Sequence, residues 1–477
     1  MNVGNTIMRQ ESDFLGSRAL PTDALYGLQT LRARENFALD ETETPRELIQ
    51  AMLLIKKAAS ISYQRLGVGK PGVYAAIEAA CDRALAGEAD AALGIQALQG
   101  GAGTAAHMNV NEVLANLALR ELGFPCGAYA HVHPLDDVNR GQSTNDVYPT
   151  ALRIAAIWQL RLLSEECAKL QEALQEKENA FEAIPKLGRT EWMDAVPITL
   201  GSAFGAFAQA IARDRWRLYK IEERLRQVNL GGAAVGRGGN ASRQYRHRVL
   251  EELRVLSGIG LAAAEYPMDP TQNQDVFTEV SGLLKAAAVN WIKLCGDLRR
   301  MGSGPHGGLG ELRLAPLQQG STIMPGKVNP VIAEMATQVA MQVIANDTAI
   351  TLAASQGEFE LNAFLPLIAK ALLESLRLMT KAAALLREKC IVPLKANPAR
   401  CRALLESSCA FATDYCPALG YQTVSALCAL HDGNPPALRQ ALDAALAEKS
   451  LESAAADSSL AADAAAPASP DGNSPRD

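Results

Sequence analysis

Phe204, Phe207, Ile211, Leu218, Ile221 and Leu225 recur three, four, seven, three and four residues apart, which is the buried stripe of one amphipathic helix of about six turns. Arg213, Arg215 and Arg217 fill polar positions between them. Leu361, Leu365, Ile368, Leu372, Leu376 and Met379 repeat the pattern, with Pro366 expected to bend that helix rather than end it. Similar stretches run from about 147 to 178, 273 to 301 and 331 to 353. A helix of that length has to bury its stripe against others like it, so five of them predict an all-α, mainly helical fold around a central bundle. No run of alternating Val, Ile, Thr and aromatic residues reads as a sheet.

The 477 residues, 48% hydrophobic and 21% charged, supply enough apolar material for two or three packed units and too much charge for a membrane protein. Forty-six Lys and Arg against 52 Asp and Glu leave a net charge of −6, which points to no nucleic-acid surface and no membrane-seeking face. Small molecules and further copies of the chain are the expected partners. Nine cysteines without a CxxC pair read as reduced thiols. The first 13 residues lack the apolar core of a signal peptide, and together these predict a cytoplasmic protein. The uncharged stretch 195–212 contains Pro197, Gly201 and Gly205 and is expected to be a buried helix rather than a membrane span.

Between the helical stretches lie segments rich in Gly, Ser, Thr and Asn, at 99–111, 136–145, 231–240 and 302–330. Loops that long inside a packed protein are usually functional, so these are the candidate site walls. From about residue 450 the chain becomes Ala, Ser, Asp and Pro, which predicts a disordered tail over 450–477. Gly302–Gly307 satisfies GxGxxG, but no strand precedes it and Pro305 lies inside it, so it is not read as a dinucleotide fingerprint. His131, His133, Asp136 and Asp137 lack a further ligand at a familiar spacing and are read as polar loop residues without a metal.

Four loops are dense in hydroxyl, amide or basic groups: Gly100-Gly-Ala-Gly-Thr104, Gln142-Ser-Thr-Asn145, Gly188-Arg-Thr-Glu191 and Gly320-Ser-Thr-Ile-Met-Pro-Gly-Lys-Val-Asn-Pro330. Hydroxyls and amides donate well to carboxylate oxygens and Lys327 adds a point charge, so together they can clamp a small dicarboxylate. Each alone also reads as a turn or a helix cap.

These loops resemble the aspartase/fumarase superfamily, whose signature is written GSSxMPxKxN. The resemblance extends through Ala24-Leu-Tyr-Gly-Leu-Gln-Thr-Leu-Arg32, Met108-Asn-Val-Asn-Glu-Val-Leu-Ala-Asn116, Gln142-Ser-Thr-Asn-Asp146, Asp194-Ala-Val-Pro197 and Glu360-Leu-Asn362, covering about residues 12–430. GGAGT, QSTND and KVNPV in place of SGTQS, QSSND and KVNPT lean toward the aspartate ammonia-lyase branch. The resemblance implies three domains, taken as 1–143, 144–395 and 396–449, with the central bundle forming a homotetramer whose sites combine loops from three subunits. It implies a reversible β-elimination of ammonia from L-aspartate that uses no cofactor and no metal.

Position by position, Ser321 matches the catalytic base, held as an alkoxide. Removal of a proton next to the β-carboxylate builds an aci-carboxylate with two negative charges. Thr104, Ser143, Thr144 and Thr322 match the donors that stabilise it. Lys327 and Asn329 match the groups on the α-carboxylate, and Asn145 with Thr190 the surroundings of the leaving amine. Glu191 stands where relatives carry His or Gln, and that residue pairs in some of them with an acid matching Glu334. Two carboxyls are then expected to face one another, or Glu191 to bind the substrate ammonium, or Glu191 to point away from the site. Ala105, His107, Ala233 and Arg237 also depart from the pattern, which leaves open a fumarase, a lyase for another substituted succinate, or a relative without activity.

Overall fold

The computed structural model describes residues 7–464. An antiparallel hairpin of β1 (Met8–Asp13) and β2 (Gly16–Pro21) leads into α1 (Leu28–Asn36), α2 (Arg46–Arg65), α3 (Val73–Leu85) and α4 (Thr104–Glu121), then a π-helical turn at Pro134–Val138. Next come α5 (Thr144–Ala180), the antiparallel hairpin of β3 (Pro185–Thr190) and β4 (Met193–Thr199), α6 (Leu200–Leu225), β5 (Gln227–Val228) and α7 (Arg243–Ser257). The chain continues through β6 (Ala262–Ala263), α8 (Asp269–Gln272), α9 (Asp275–Met301), β7 (Leu312–Arg313), α10 (Val331–Ala354) and α11 (Leu365–Leu386). It closes with β8 (Lys395–Ala396), α12 (Pro398–Glu406), α13 (Cys416–Leu419), α14 (Tyr421–Leu430) and α15 (Pro435–Ala464).

The mainly helical expectation holds, and its physical basis is visible in α6, where all six residues of the stripe are buried. Each contributes about 1.5–3 kcal/mol relative to an exposed position. In α11 the stripe is buried from Leu365 onward. Pro366 corrects the expected bend: it is the second residue of α11, where a missing N–H costs nothing because that donor has no intrahelical acceptor. Residues 195–199 belong to β4, so the expected buried helix begins only at Leu200, and the second half of the loop read at 99–111 is already α4. Four two-stranded sheets correct the sheetless reading. Strands β5 to β8 are two residues each, too short to carry an alternating pattern, and β1 and β2 contain no Val, Ile, Thr or aromatic residue to announce them.

Two compact units are separable. One takes residues up to Glu172, Ala208–Asp297 and Leu317–Val392, the other Ala173–Phe207, Leu298–Pro316 and the chain from Pro393. The expected cut at 143/144 falls inside the first unit, at the start of α5, while that at 395/396 lies close to the Val392–Pro393 boundary. The division into three domains stays a proposal. Residues 450–464 differ from the expected disordered tail because α15 continues through them, as suits a segment rich in alanine, the strongest helix former. Residues 465–477 lie outside the described residues. Gly302–Gly307 follows a helix rather than a strand, and none of the nine cysteines forms a disulfide.

In the first unit, α4 organises the N-terminal helices. Asn109, Glu112 and Asn116 stand three and four residues apart on one face. The Glu112 carboxylate accepts the backbone N–H groups of Gly27, Gln29 and Thr30 at 2.9, 2.8 and 3.0 Å, and the Thr30 hydroxyl at 2.7 Å. It thereby caps α1, whose N-cap Gly27 has no side chain to do so. Asn109 accepts from Gly94 N, and Asn116 donates to Leu25 O and accepts from Gly127 N.

Candidate active site

The first motif, Gly100–Thr104, turns tightly into α4. Gly101, Ala102 and Gly103 all have positive φ, and a Cβ on Gly103 would lie 2.3 Å from the ring of Tyr148, so no other residue fits there. Thr104 is exposed at the first turn of α4, and its hydroxyl donates to Gly101 O at 2.6 Å. One turn on, buried His107 meets Thr144 of α5, Nδ1 to Oγ1, at 2.9 Å.

Ser143, Thr144 and Asn145 open α5 as a capping box: Ser143 Oγ accepts from Asn145 N at 3.2 Å while the Asp146 carboxylate accepts from Ser143 N at 2.9 Å. The other Asp146 oxygen accepts from Gly231 N and Ala233 N at 3.0 and 2.9 Å, which ties the 231–240 loop to this helix start. The Asn145 amide nitrogen donates to Ala234 O at 2.7 Å, so its carbonyl oxygen is left as the outward acceptor. Ala233 sits in this tie with φ +56°, whereas Arg237 is exposed.

Behind this start lies fully buried Lys56 of α2, whose ammonium donates to Asn139 Oδ1 and Gln142 Oε1 at 2.9 Å each. Burial lowers the Lys56 pKa to about 7, with the Asp146 charge opposing the shift. Burial raises Asp146 to about 6, against the pull of its three backbone donors and Lys56. Between 7 and the ordinary lysine value of 10.5 the folded chain binds fewer protons at Lys56 than the unfolded chain does, so this residue makes stability rise with pH. The buried Cys81 thiol, pushed up from 9.0, acts in the opposite direction only as the unfolded thiol begins to ionise. Between about pH 7 and 8.5, Lys56→Met is expected to remove a rise on the order of 1 kcal/mol per pH unit, read as the difference between the denaturant midpoints of the two proteins.

The loop 320–330 is closed by Gly320 N donating to Lys327 O at 2.9 Å and Asn329 Nδ2 donating to Gly320 O at 2.9 Å. A Cβ on Gly320 would lie 2.8 Å from Asn329 N and Lys327 O, which excludes a side chain at that point. Half-buried Ser321 accepts two backbone N–H groups at its hydroxyl oxygen, from Ile323 at 3.1 Å and Met324 at 2.9 Å. Two donors aimed at one oxygen favour its deprotonated form. Thr322 and Lys327 are exposed and Asn329 is half-buried. Glu334 follows in the first turn of α10.

Thr190 and Glu191 belong to the second unit. Thr190 pairs with Met193 across a two-residue turn in which Glu191 and Trp192 have φ of +52° and +71°, the twist that a tight hairpin needs. Both are exposed, and the Arg300 guanidinium lies 5.0 Å from the centre of the Trp192 ring. At the base of this hairpin, buried Glu311 accepts from Arg189 at 2.9 Å and has Lys186 at 3.6 Å. The same unit has a cleft of about 720 Å³ lined by Leu405, Phe411, Tyr415, Arg439 and Leu446. Of the motif residues only Pro197 lines it, and none of the hydroxyl, amide or basic groups does, so the hydroxyl loops rather than this cleft mark the candidate site.

Within the first unit the structure thus couples the 104 and 143–145 groups through His107. The hydrogen bonds of Ser321 and Asn329 described above close their own loop, and the hairpin carrying Thr190 and Glu191 is a separate element. Sequence reading missed the supporting roles of Lys56, Asn139 and Asp146. The available signal was Lys56 itself, at a position that Met52, Ala59 and Tyr63 define as the buried face of α2. His131, His133, Asp136 and Asp137 form no group of three or more ligands able to hold a metal among the described residues. His133 instead caps the π-helical turn, accepting from Leu135 N and Asp136 N.

A family model described as lyase matches residues 16–345, a span that contains every motif loop from Gly100 to Pro330. The chain belongs to this lyase family. The lyase is 43% identical over 417 residues to an aspartate ammonia-lyase of Pseudomonas aeruginosa, covering 87% of this chain and 88% of that one. It is 40% identical to an aspartate ammonia-lyase of Bacillus subtilis, with 88% and 89% covered. Among solved structures, it matches a fumarate lyase:delta crystallin from Brucella melitensis bound to cobalt with a TM-score of 0.86 and 42% identity, over 94% of this chain and 96% of that one. A class II fumarase from Schistosoma mansoni matches with the same TM-score at 28% identity, over 94% and 95%. The resemblance drawn from the motif loops and the mainly helical fold both hold.

Proposed function

We propose that this lyase eliminates ammonia from L-aspartate to give fumarate, reversibly, with Ser321 as the general base. The observation that carries the mechanism is the pair of backbone N–H groups donating to Ser321 Oγ, and the aspartate ammonia-lyase relatives at 40–43% identity support the substrate. The Ser321 alkoxide takes the proton from the carbon beside the β-carboxylate. The C–H electron pair moves into that carboxylate as an aci-carboxylate, then returns to form the carbon–carbon double bond while the C–N pair leaves on nitrogen. Thr104, Ser143, Thr144 and Thr322 donate to the aci-carboxylate oxygens. For Thr104 this requires its hydrogen to leave Gly101 O. Lys327 and the second N–H of the Asn329 amide hold the α-carboxylate. The Asn145 side-chain carbonyl, left open by the amide's bond to Ala234 O, accepts from the amine, for which Thr190 is proposed as a further hydrogen-bond partner.

A homotetramer with shared sites belongs to the same reading, as the family resemblance of the motif loops implies. The mass in solution by light scattering is expected at about four times 50.8 kDa, and a monomer that turns over aspartate overturns it. A cytoplasmic location also belongs to the reading, supported by nine cysteines of which none forms a disulfide. No helix among the described residues is long and apolar enough to cross a membrane.

The test is fumarate absorbance with L-aspartate and, separately, L-malate. Turnover of aspartate alone bears the proposal out, and turnover of malate alone makes the chain a hydratase. Glu191, exposed at the hairpin tip, is proposed to bind the substrate ammonium. Glu191→Gln is expected to raise the KM for aspartate about tenfold with little change in kcat, the mark of a charge–charge contact made equally in ground and transition states. An unchanged KM removes Glu191 from the site.

A further inference from the structure

His107 is fully buried in α4 and makes one side-chain bond, Nδ1 to Thr144 Oγ1 at 2.9 Å, while its Nε2 has no partner among the described residues. Burial, assisted by the Lys56 ammonium, holds the ring well below its ordinary pKa of 6.5, so the imidazole is neutral and one nitrogen alone carries hydrogen. The two tautomers have opposite consequences for Thr144. With hydrogen on Nε2, an N–H is buried without an acceptor, and Nδ1 takes the Thr144 hydroxyl hydrogen for itself. With hydrogen on Nδ1, the ring donates to Thr144, and the threonine hydrogen is free to point elsewhere.

The second arrangement is favoured. A buried N–H without an acceptor is rarer and more costly than a bare ring lone pair. The charged group acting on the ring from α2 is Lys56, which when protonated opposes a second proton on the imidazole. Lys56 itself is fixed by Asn139 and Gln142, so the loop that delivers Thr144 also holds the group that acts on the ring. Asp146 of α5 and Cys81 of α3 are the other ionisable groups acting on Lys56. The Asp146 oxygens are occupied by backbone donors from Ser143, Gly231 and Ala233 rather than by the ring.

We propose that His107 is a positioning residue that donates from Nδ1 to Thr144 and thereby fixes the Thr144 hydroxyl as a donor toward a bound carboxylate. The proposal rests on the elimination reading for the identity of that carboxylate, but the hydrogen-bond direction is a property of the resting protein. Asparagine is the discriminating substitution, because its Nδ2 is separated from Cα by the same number of bonds as histidine Nδ1 and always carries hydrogen. Leucine removes the donor at similar bulk.

The experiment compares wild type, His107→Leu, His107→Asn, Thr144→Val and the Thr144→Val/His107→Leu double variant, each checked for folding by circular dichroism. Steady-state kinetics with L-aspartate are measured beside succinate binding by calorimetry, succinate being a dicarboxylate with no amine to lose. His107→Leu is expected to lower kcat about 10- to 30-fold, less than the loss from deleting a direct oxyanion donor, and to weaken succinate several-fold. His107→Asn is expected to stay within about threefold of wild type in both. The double variant should match Thr144→Val alone, because the histidine has nothing left to orient. His107→Asn as impaired as His107→Leu, or losses that multiply in the double variant, overturn the proposal. If leucine prevents folding, His107→Met replaces it in the same comparison. A wild type that binds succinate but does not turn over aspartate refutes the elimination reading, and the order of succinate affinities then decides the His107 proposal alone. Succinate affinities equal across all the variants overturn it.

Discussion

Ser321→Ala is expected to lower fumarate formation from L-aspartate by about 1,000-fold or more, the loss that follows removal of a general base that nothing else replaces. The fold should be unchanged, since Ser321 is only half-buried and Ile323 and Met324, whose N–H groups it receives, are exposed. The loop closure through Gly320, Lys327 and Asn329 does not use the serine side chain. Fumarate absorbance with each protein, beside matched melting curves, is the measurement. A variant that keeps more than about one-tenth of the wild-type rate would remove Ser321 from the base position.

Asp146→Ala is the second large effect, and it acts on stability. The substitution strips the acceptor from Ser143 N, Gly231 N and Ala233 N at once and leaves the buried Lys56 without its opposing charge. Breaking one side of a buried charged network costs about 3–5 kcal/mol, a large fraction of a typical domain's stability. Asp146→Asn should lose less, because one carbonyl oxygen still accepts, but its NH₂ group then faces a backbone donor. Chemical denaturation of the three proteins tests this order, and an alanine variant as stable as wild type would mean that the 231–233 loop is held by other contacts. Aspartate turnover is expected to fall in both variants, since Ser143, Thr144 and Asn145 depend on the same cap.

The long helices were legible because an apolar stripe survives in sequence wherever a helix is buried on one side, as Phe204 to Leu225 in α6 illustrates. The motif loops were legible because their chemistry is carried by side chains that can be named without coordinates. Other features depend on partners far away in the chain. Lys56 becomes a buried cation only when Asn139 and Gln142, more than 80 residues later, fold over it. Glu112 reads as one more helical acid until α1 presents three N–H groups to it. Pro366 was misread as a bend because proline inside a periodic run looks the same whether the helix starts there or passes through. The Glu191–Trp192 turn is hidden for a different reason. Its positive φ values fall on residues that rarely adopt them, so composition gives no warning.

The tie between Asp146 and Ala233 carries a consequence for how this segment can vary between related proteins. Position 233 contributes its backbone N–H and a left-handed φ of +56°, and no hydrogen bond of its side chain enters that tie. A hydroxyl or a methyl there is equally able to present the N–H, and a β-branched residue is the more strained choice at such a φ. Ala233, a departure from the family pattern, is therefore a change of side chain at a site whose hold on Asp146 is through the main chain, and the tie between the 231–240 loop and the start of α5 passes through it unaltered.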